Sequence, residues 1–380
     1  MTDPSVVGPD RTAHRAWLQI DHGALRANLA AVRDAAGERA VIGVVKANAY
    51  GHGAVAVART LVSEGVDRLA VATVDEGLEL RAAGIGARIL VFFRLTSEEV
   101  GRAVAADLEA VIYDAESVRL LEQAAAGRGH RASVQLKVDT GLGRQGAAPE
   151  SAVDLAVAIA RSPHLELVGT YSHLAVPGED DAYTEVQLLR LARAVDAMRS
   201  AGVDPGLVHV AASGGILSGA MSGDAVRPGL LLYGMRPDWA TEREIAVRPV
   251  LSVRALPLRI FDLPAGAAIG YGLRFQAGKA TRIATLGIGY GDGWPRMHAN
   301  NGWALVKGVR VPIVGAVSMD ALTVDIGEVD GVTYGDEFVL IGDQGEERIT
   351  ADEVATERRT INYEVTTILR QRLPRIHVGA

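Results

Sequence analysis

Along the first two-thirds of the chain, short apolar runs alternate with segments whose apolar residues recur at helical spacing. Ala16-Trp17-Leu18-Gln19-Ile20 reads as a short strand, and Asp21 as the N-cap of a helix from about His22 to Ala36. Eight further runs read as buried strands: Ala40–Val45, Arg68–Val71, Arg88–Phe93, Leu108–Tyr113, Ser133–Val138, Leu165–Tyr171, Leu207–Ala211 and Leu230–Tyr233. Between them, Asp114 caps a segment with Val118, Leu121 and Ala125 on one face and Gly127 at its C-terminal end. Leu188, Leu191, Val195 and Met198 form a second apolar stripe that ends near Gly202. Repeated β-then-α units predict a parallel (β/α)8 barrel of the TIM type, with an open doubly wound sheet as the alternative.

Near residue 240 the pattern changes. Leu251–Leu256, Thr281–Leu286, Trp303–Val306, Val311–Val314 and Phe338–Ile341 alternate between Gly, Pro and Asp, and helical spacing returns only at Thr350–Thr356 and Tyr363–Leu369. The expected α/β organisation is therefore a polar tail over 1–13, a barrel over 14–240 and a mostly β domain over 241–380.

Composition narrows the class. The 380 residues are 48% hydrophobic and 22% charged, ordinary values for a globular enzyme, and the net charge of −7 leaves no basic footprint for nucleic acid. There are no cysteines, which excludes disulfides and thiol chemistry together. Met1 to Arg11 holds no apolar segment of the kind that directs secretion, and no run approaches the roughly 18 apolar residues of a membrane span. The expectation is a cytoplasmic protein with neither nucleic-acid nor membrane partners.

Chemistry enters at Val44-Val45-Lys46-Ala47-Asn48-Ala49-Tyr50-Gly51-His52-Gly53. A lysine ending a buried strand loses water, which pushes its amine toward the neutral form that joins an aldehyde or removes a proton. The ordinary alternative is a surface lysine opening a loop. In a barrel the other strand ends would gather around it: Lys137 to Arg144, Tyr171-Ser172-His173, Ala212-Ser213-Gly214-Gly215 and Val226-Arg227-Pro228-Gly229. Ser213, Gly214, Gly229 and Leu230 could cradle a phosphate with backbone N–H groups, although such glycines are more often plain turn residues. A phosphate cradle opposite an amine suggests pyridoxal 5'-phosphate.

The stretch Val44–Gly53 resembles the cofactor-attachment signature of alanine racemases, the fold type III family. The likeness continues in order through Lys137–Gly146, Tyr171-Ser172-His173, Val226–Gly229, Gly270-Tyr271-Gly272, Gly287–Trp294, Ser318-Met319-Asp320 and Ile361-Asn362-Tyr363-Glu364. Alone, His173, Tyr271, Lys137 and Arg227 would each read as ordinary structural or surface residues; their joint order reverses that.

The resemblance implies a reaction and roles. Racemisation removes the α-proton on one face and returns one on the other, so two acid–base groups are needed. Lys46 would serve one face and bind the cofactor, and Tyr271 from a partner subunit the other. His173 and Arg144 would favour the Tyr271 phenolate. Arg227 would face the pyridine nitrogen and leave it unprotonated. Tyr50 would contact the phosphate, and Arg144 with the Met319 backbone would receive the substrate carboxylate, supported by Asp320. Lys137 matches a lysine often carbamylated in relatives. The shared site implies a homodimer, and the product D-alanine would supply peptidoglycan. No metal is implied.

Three positions depart from the family pattern: Ser318 where cysteine is frequent, Ala212 where some members have asparagine, and Gln371 where some have tyrosine. Rivals are a racemase of serine or of broad specificity, a non-catalytic carrier of the cofactor, and a basic-amino-acid decarboxylase. Against the last stand Arg227, in place of a carboxylate, and the lack of cysteine.

Overall fold

A computed structural model describes residues 14–237, 239 and 245–379, so the tail over 1–13 lies outside the described residues. The chain forms two compact units, one of residues 26–248 and one of residues 1–25 with 249–380.

In the first unit eight parallel strands follow in sequence: β2 (Ala40–Val44), β3 (Arg68–Val71), β4 (Arg88–Val91), β5 (Ala110–Ile112), β6 (Ala132–Lys137), β7 (Leu165–Tyr171), β8 (Leu207–Ala212) and β9 (Ala225–Arg227), with β1 reserved for Ala16–Asp21. Their order is β4-β3-β2-β9-β8-β7-β6-β5, and a parallel bridge between Leu90 and Glu109 joins the two ends. The expected barrel is therefore present, and the open sheet is not. Near-continuous apolar strands suit a sheet buried on both faces: Ile42, Val44, Ala70, Leu90, Val111, Tyr171 and Ala225 pack together in its core. Helices begin where polar caps allow. Thr73 with Glu76 and Thr96 with Glu99 form capping boxes, and Asp114 accepts from the Ser117 amide.

The eighth strand lies earlier than expected. Ala225 and Val226 pair with Ala40 and Val41, whereas Leu230–Tyr233 is a buried 3₁₀ turn. Pro228 lacks the N–H that would continue the ladder, and a buried apolar run carries no periodicity to separate strand from helix.

The second unit is mostly β, as the alternating segments predict. Its main sheet includes Leu251–Ala255, Pro257–Leu263, Thr281–Leu286, Trp303–Val306, Val309–Val314, Leu322–Asp325 and Phe338–Gln344. Strand β1, expected on the barrel side of the boundary, belongs here instead. It pairs antiparallel with Leu251–Ala255 and parallel with Arg375–Val378, which satisfies its backbone on both edges. Helices Ala351–Arg358 and Asn362–Thr367 follow the expected segments closely.

Candidate active site

The turn after β2 reverses hand. Ala47, Asn48, Ala49 and Tyr50 all have φ between 52° and 54°, a run of left-handed residues that costs about 1–2 kcal/mol for each. Hydrogen bonds offset this. Glu76 Oε1 accepts from the Ala47 amide at 2.6 Å, Asn48 Oδ1 from the Ala54 amide at 2.8 Å, and Val45 O from the Ala49 amide at 2.8 Å. The rings of Tyr50 and His52 both pack against the buried Tyr233, tilted by 33° and 32°.

This turn delivers Tyr50 to Gly229. A Cβ on Gly229 would fall 2.4 Å from the Tyr50 hydroxyl, so only glycine fits. Ser213 Oγ accepts from the Gly229 and Leu231 amides, each at 3.2 Å, and Leu230 between them is buried. Tyr50, Ser213, Gly229 and Leu230 thus converge. Gly214 instead packs against the Trp239 ring, where a Cβ would meet carbon at 2.7 Å.

Beside this cradle stands a concentration of positive charge. Arg227, at the end of β9, is 2% exposed. Its Nη2 donates to Ser172 O at 2.7 Å, Val210 O at 2.9 Å and His173 Nδ1 at 3.2 Å, while Nη1 donates to His209 Nδ1 at 2.6 Å. Burial lowers the Lys46 pKa, helped by Arg144 and Arg227 and opposed by Glu76. The buried Lys137, at the end of β6, is brought down to about 7 by burial and then by Arg144 and Arg227, against Asp139. His173 is held well below its ordinary range by burial, Arg227 and Arg144, so its imidazole is neutral at physiological pH.

Arg144 itself sits on an exposed loop shaped by Asp139, whose carboxylate accepts from the Gly141 and Gly143 amides. Helix Asp181–Ser200 pins this loop. Tyr183 donates to Gly141 O, Arg190 to Thr140 O, and Gln187 to both Thr140 Oγ1 and His173 O.

Tyr271, Met319 and Asp320 lie in the other compact unit. Tyr271 follows Gly270 on a 3₁₀ turn, is 77% exposed, and lines a cavity of about 440 Å³ with Ala316, Ser318 and Leu322. Met319 O accepts from the Gly291 amide at 2.8 Å, and Asp320 is paired with Arg372 at 2.6 Å. Ser318 closes its turn by donating to Ala321 O, a task that a hydroxyl performs readily. Ala212 precedes helix Ser213–Ser218 without a side-chain cap, and Gln371 is exposed.

Residues 20–237 match the alanine racemase N-terminal domain, and residues 250–377 the alanine racemase C-terminal domain. The chain belongs to the alanine racemase family. As a member it is an isomerase. It is 39% identical over 366 residues to alanine racemase 2 of Caldanaerobacter subterraneus subsp. tengcongensis, covering 95% of this chain and 94% of that one. With the alanine racemase of Methanococcus maripaludis it shares 36% identity, covering 96% and 99%. The solved alanine racemase of Clostridium difficile 630 superposes with a TM-score of 0.92 at 32% identity, covering 97% of each chain. That of Streptomyces lavendulae gives 0.90 at 35%, covering 96% and 97%.

Three residues near the strand ends escape a reading of single motifs: Glu76, Gln187 and His209. Only Glu76 carries a local signal, the Thr73-x-x-Glu76 capping box.

Proposed function

We propose that this alanine racemase family member interconverts L- and D-alanine with pyridoxal 5'-phosphate, using Lys46 and, from a partner subunit of a homodimer, Tyr271 as its two bases. The observation that carries the reading is a Lys46 amine of lowered pKa on the same barrel face as the Tyr50–Ser213–Gly229 cradle. The residues present fit the cofactor. Gly229, having no Cβ, lets the Tyr50 hydroxyl close against its backbone, and the hydroxyls of Ser213 and Tyr50 suit a phosphate.

When bound, the cofactor supplies an aldehyde for the amine and an electron-accepting ring that acidifies the α-proton. Everything else falls to side chains. Lys46 would hold the cofactor and carry the proton on one face, its lowered pKa giving a larger neutral fraction near pH 7. Tyr271 would serve the opposite face. His173 is neutral and accepts from Arg227 at Nδ1, so its Nε2–H is free to donate to a phenolate. This amends the sequence expectation: His173 would act through a hydrogen bond, and the positive charge would come from Arg144 and Arg227. Arg227 would face the ring nitrogen as a donor only, its pKa of about 10 keeping it charged. Arg144 and the Met319 amide would receive the substrate carboxylate, with Asp320 supporting the Met319 loop. Carbamylation of Lys137 would place an anion beside Arg144. The setting we propose is cytoplasmic, with D-alanine supplied to peptidoglycan.

Proton NMR of L-alanine incubated with the protein in D2O, with D-alanine assayed in the same tube, tests the reading. Loss of the α-proton signal with matching D-alanine is expected. Exchange without D-alanine would remove Tyr271 from the mechanism, and no exchange with cofactor bound would refute the alanine assignment. L-serine in a parallel tube sets the substrate preference.

A further inference from the structure

One buried chain of side chains crosses the barrel interior. Arg68, at the start of β3, donates through Nε to Glu109 Oε1 at 3.1 Å. Glu109 Oε2 accepts from Gln135 Nε2 at 2.5 Å. Gln135 Oε1 faces His209 Nε2 at 2.8 Å, and His209 Nδ1 faces Arg227 Nη1 at 2.6 Å. All five residues are less than 9% exposed, and Gln135 and His209 are wholly buried. Glu109, immediately before β5, is also the residue whose backbone bridges to Leu90 where the sheet closes on itself, so the carboxylate is anchored at that closure.

The direction of the hydrogen bonds along this chain is not free. A carboxylate only accepts, so the Gln135 amide must turn its NH2 toward Glu109 and its carbonyl toward His209. That carbonyl requires a proton on His209 Nε2. Neutral imidazole carries one proton, so Nδ1 is left as a bare acceptor facing the Arg227 guanidinium. The opposite amide orientation would set NH2 against Nε2, place the proton on Nδ1, and point it at an arginine donor. Two buried donors facing each other are strongly disfavoured. The low basicity of His209, which burial and then Arg227 impose, agrees with the neutral form. Tyr171 stacks on the imidazole at 4.9 Å and 10°, which fixes its plane.

We infer that Glu109 and Gln135 are positioning residues for Arg227. Acting through one fixed His209 tautomer, they hold the guanidinium in place with a neutral acceptor rather than a carboxylate, so that its full positive charge is kept for the ring nitrogen. This rests on the reading of Arg227 given above.

The test is ¹⁵N NMR of the histidine-labelled holoenzyme, with the His209 signals identified by their loss in His209→Asn. The wild type is expected to show a protonated Nε2 and a bare Nδ1, unchanged between about pH 6 and 9. Gln135→Leu removes the acceptor of the Nε2 proton and is expected to mix the tautomers and to lower kcat about tenfold, with KM for L-alanine changed less than about twofold. In Glu109→Gln, which preserves shape, Arg68 still takes the new carbonyl, so the new NH2 faces Gln135 and favours the flipped amide while Arg227 still favours a bare Nδ1; a mixed tautomer and a smaller loss of kcat are expected. That variant carries the test should Gln135→Leu not fold. A proton on Nδ1 in the wild type, or an unchanged tautomer in every variant that folds, overturns the relay. A shifted tautomer with unchanged kcat overturns the positioning role. Failure of the wild type to racemise alanine would sink the functional reading and leave the tautomer result standing.

Discussion

The Glu76 carboxylate holds the Ala47 amide at 2.6 Å with one oxygen, while its other oxygen accepts from the Ala72 and Thr73 amides at 2.7 and 3.2 Å. One side chain therefore closes the start of its own helix and pins the residue after Lys46, where the backbone enters its left-handed turn. The same negative charge is the main influence that raises the Lys46 pKa against burial.

Glu76→Gln removes that charge and presents NH2 to donors, so two consequences follow. The Lys46 pKa falls further, and, with neutral Lys46 as the proposed base, the acid limb of kcat/KM for L-alanine should move to lower pH. Each backbone hydrogen bond lost costs about 1 kcal/mol, which lowers the melting temperature. A pH–rate profile that coincides with the wild type would refute the link.

Gly229→Ala would set a methyl group 2.4 Å from the Tyr50 hydroxyl and 2.9 Å from Tyr50 Cζ. Overlap of that order must displace the ring, so cofactor affinity, measured by absorbance titration, should weaken by at least about tenfold. Adding Tyr50→Phe should not restore it, because the clash with the ring carbon remains. Full recovery in the double variant would show that the hydroxyl alone is at fault.

How much of this was legible in the sequence depends on where each signal resides. Buried strands such as β3 announce themselves through apolar residues, and Asp114 and Thr73 mark helix starts by local hydrogen bonding. Leu230–Tyr233 misled because an apolar run bounded by glycines suits a strand and a buried turn equally. β1 lies next to the barrel in sequence, yet its partners Leu251–Ala255 and Arg375–Val378 are far along the chain, and no local pattern reports that pairing. Lys46, Tyr50 and Arg227 were visible through ordered motifs. Glu109, Gln135 and His209 were not, because each lies within or beside an apolar strand and gains meaning only when the closed barrel turns it inward.

Lys137 lies near three other cations, Arg144, Arg227 and Lys46, with Asp139 opposing them. With a pKa of about 7, roughly half of its amine is neutral at pH 7, against about one part in a few thousand for an ordinary lysine. Neutral amine is the form that reacts with carbon dioxide. In ¹³C-bicarbonate buffer the wild type should show a carbamate signal that Lys137→Arg lacks, and degassed buffer should lower activity reversibly. A spectrum without that signal would exclude the modification.

His298 is wholly buried and accepts from Arg358 Nε at 2.7 Å, which requires the neutral ring. Its pKa is depressed to about 4 by burial and then by Arg358. The unfolded chain, with an ordinary histidine, binds the proton first as pH falls. Stability should therefore drop by about 2 kcal/mol between pH 7 and 5 on account of this residue. In His298→Gln, whose carbonyl can still accept from Arg358, that part of the pH dependence should vanish from denaturant unfolding curves. Parallel losses in both proteins would assign the effect elsewhere.

Tyr271 and Leu273 are 77% and 67% exposed on one turn, and Met319, 52% exposed, follows Ser318, which lines a cavity with Tyr271. Large apolar side chains left open in this way mark a surface meant to be covered. If the partner subunit covers it and each site takes Lys46 from one chain and Tyr271 from the other, two dead variants should complement. Lys46→Ala and Tyr271→Phe should each be inactive alone. A mixed dimer holds one site with both bases intact and one with neither, so an equal, fully exchanged mixture should recover roughly a quarter of wild-type activity. Leu273→Glu on both chains should weaken association and prevent the recovery. No activity in a mixture shown by mass spectrometry to contain hybrids would mean that both bases come from one chain.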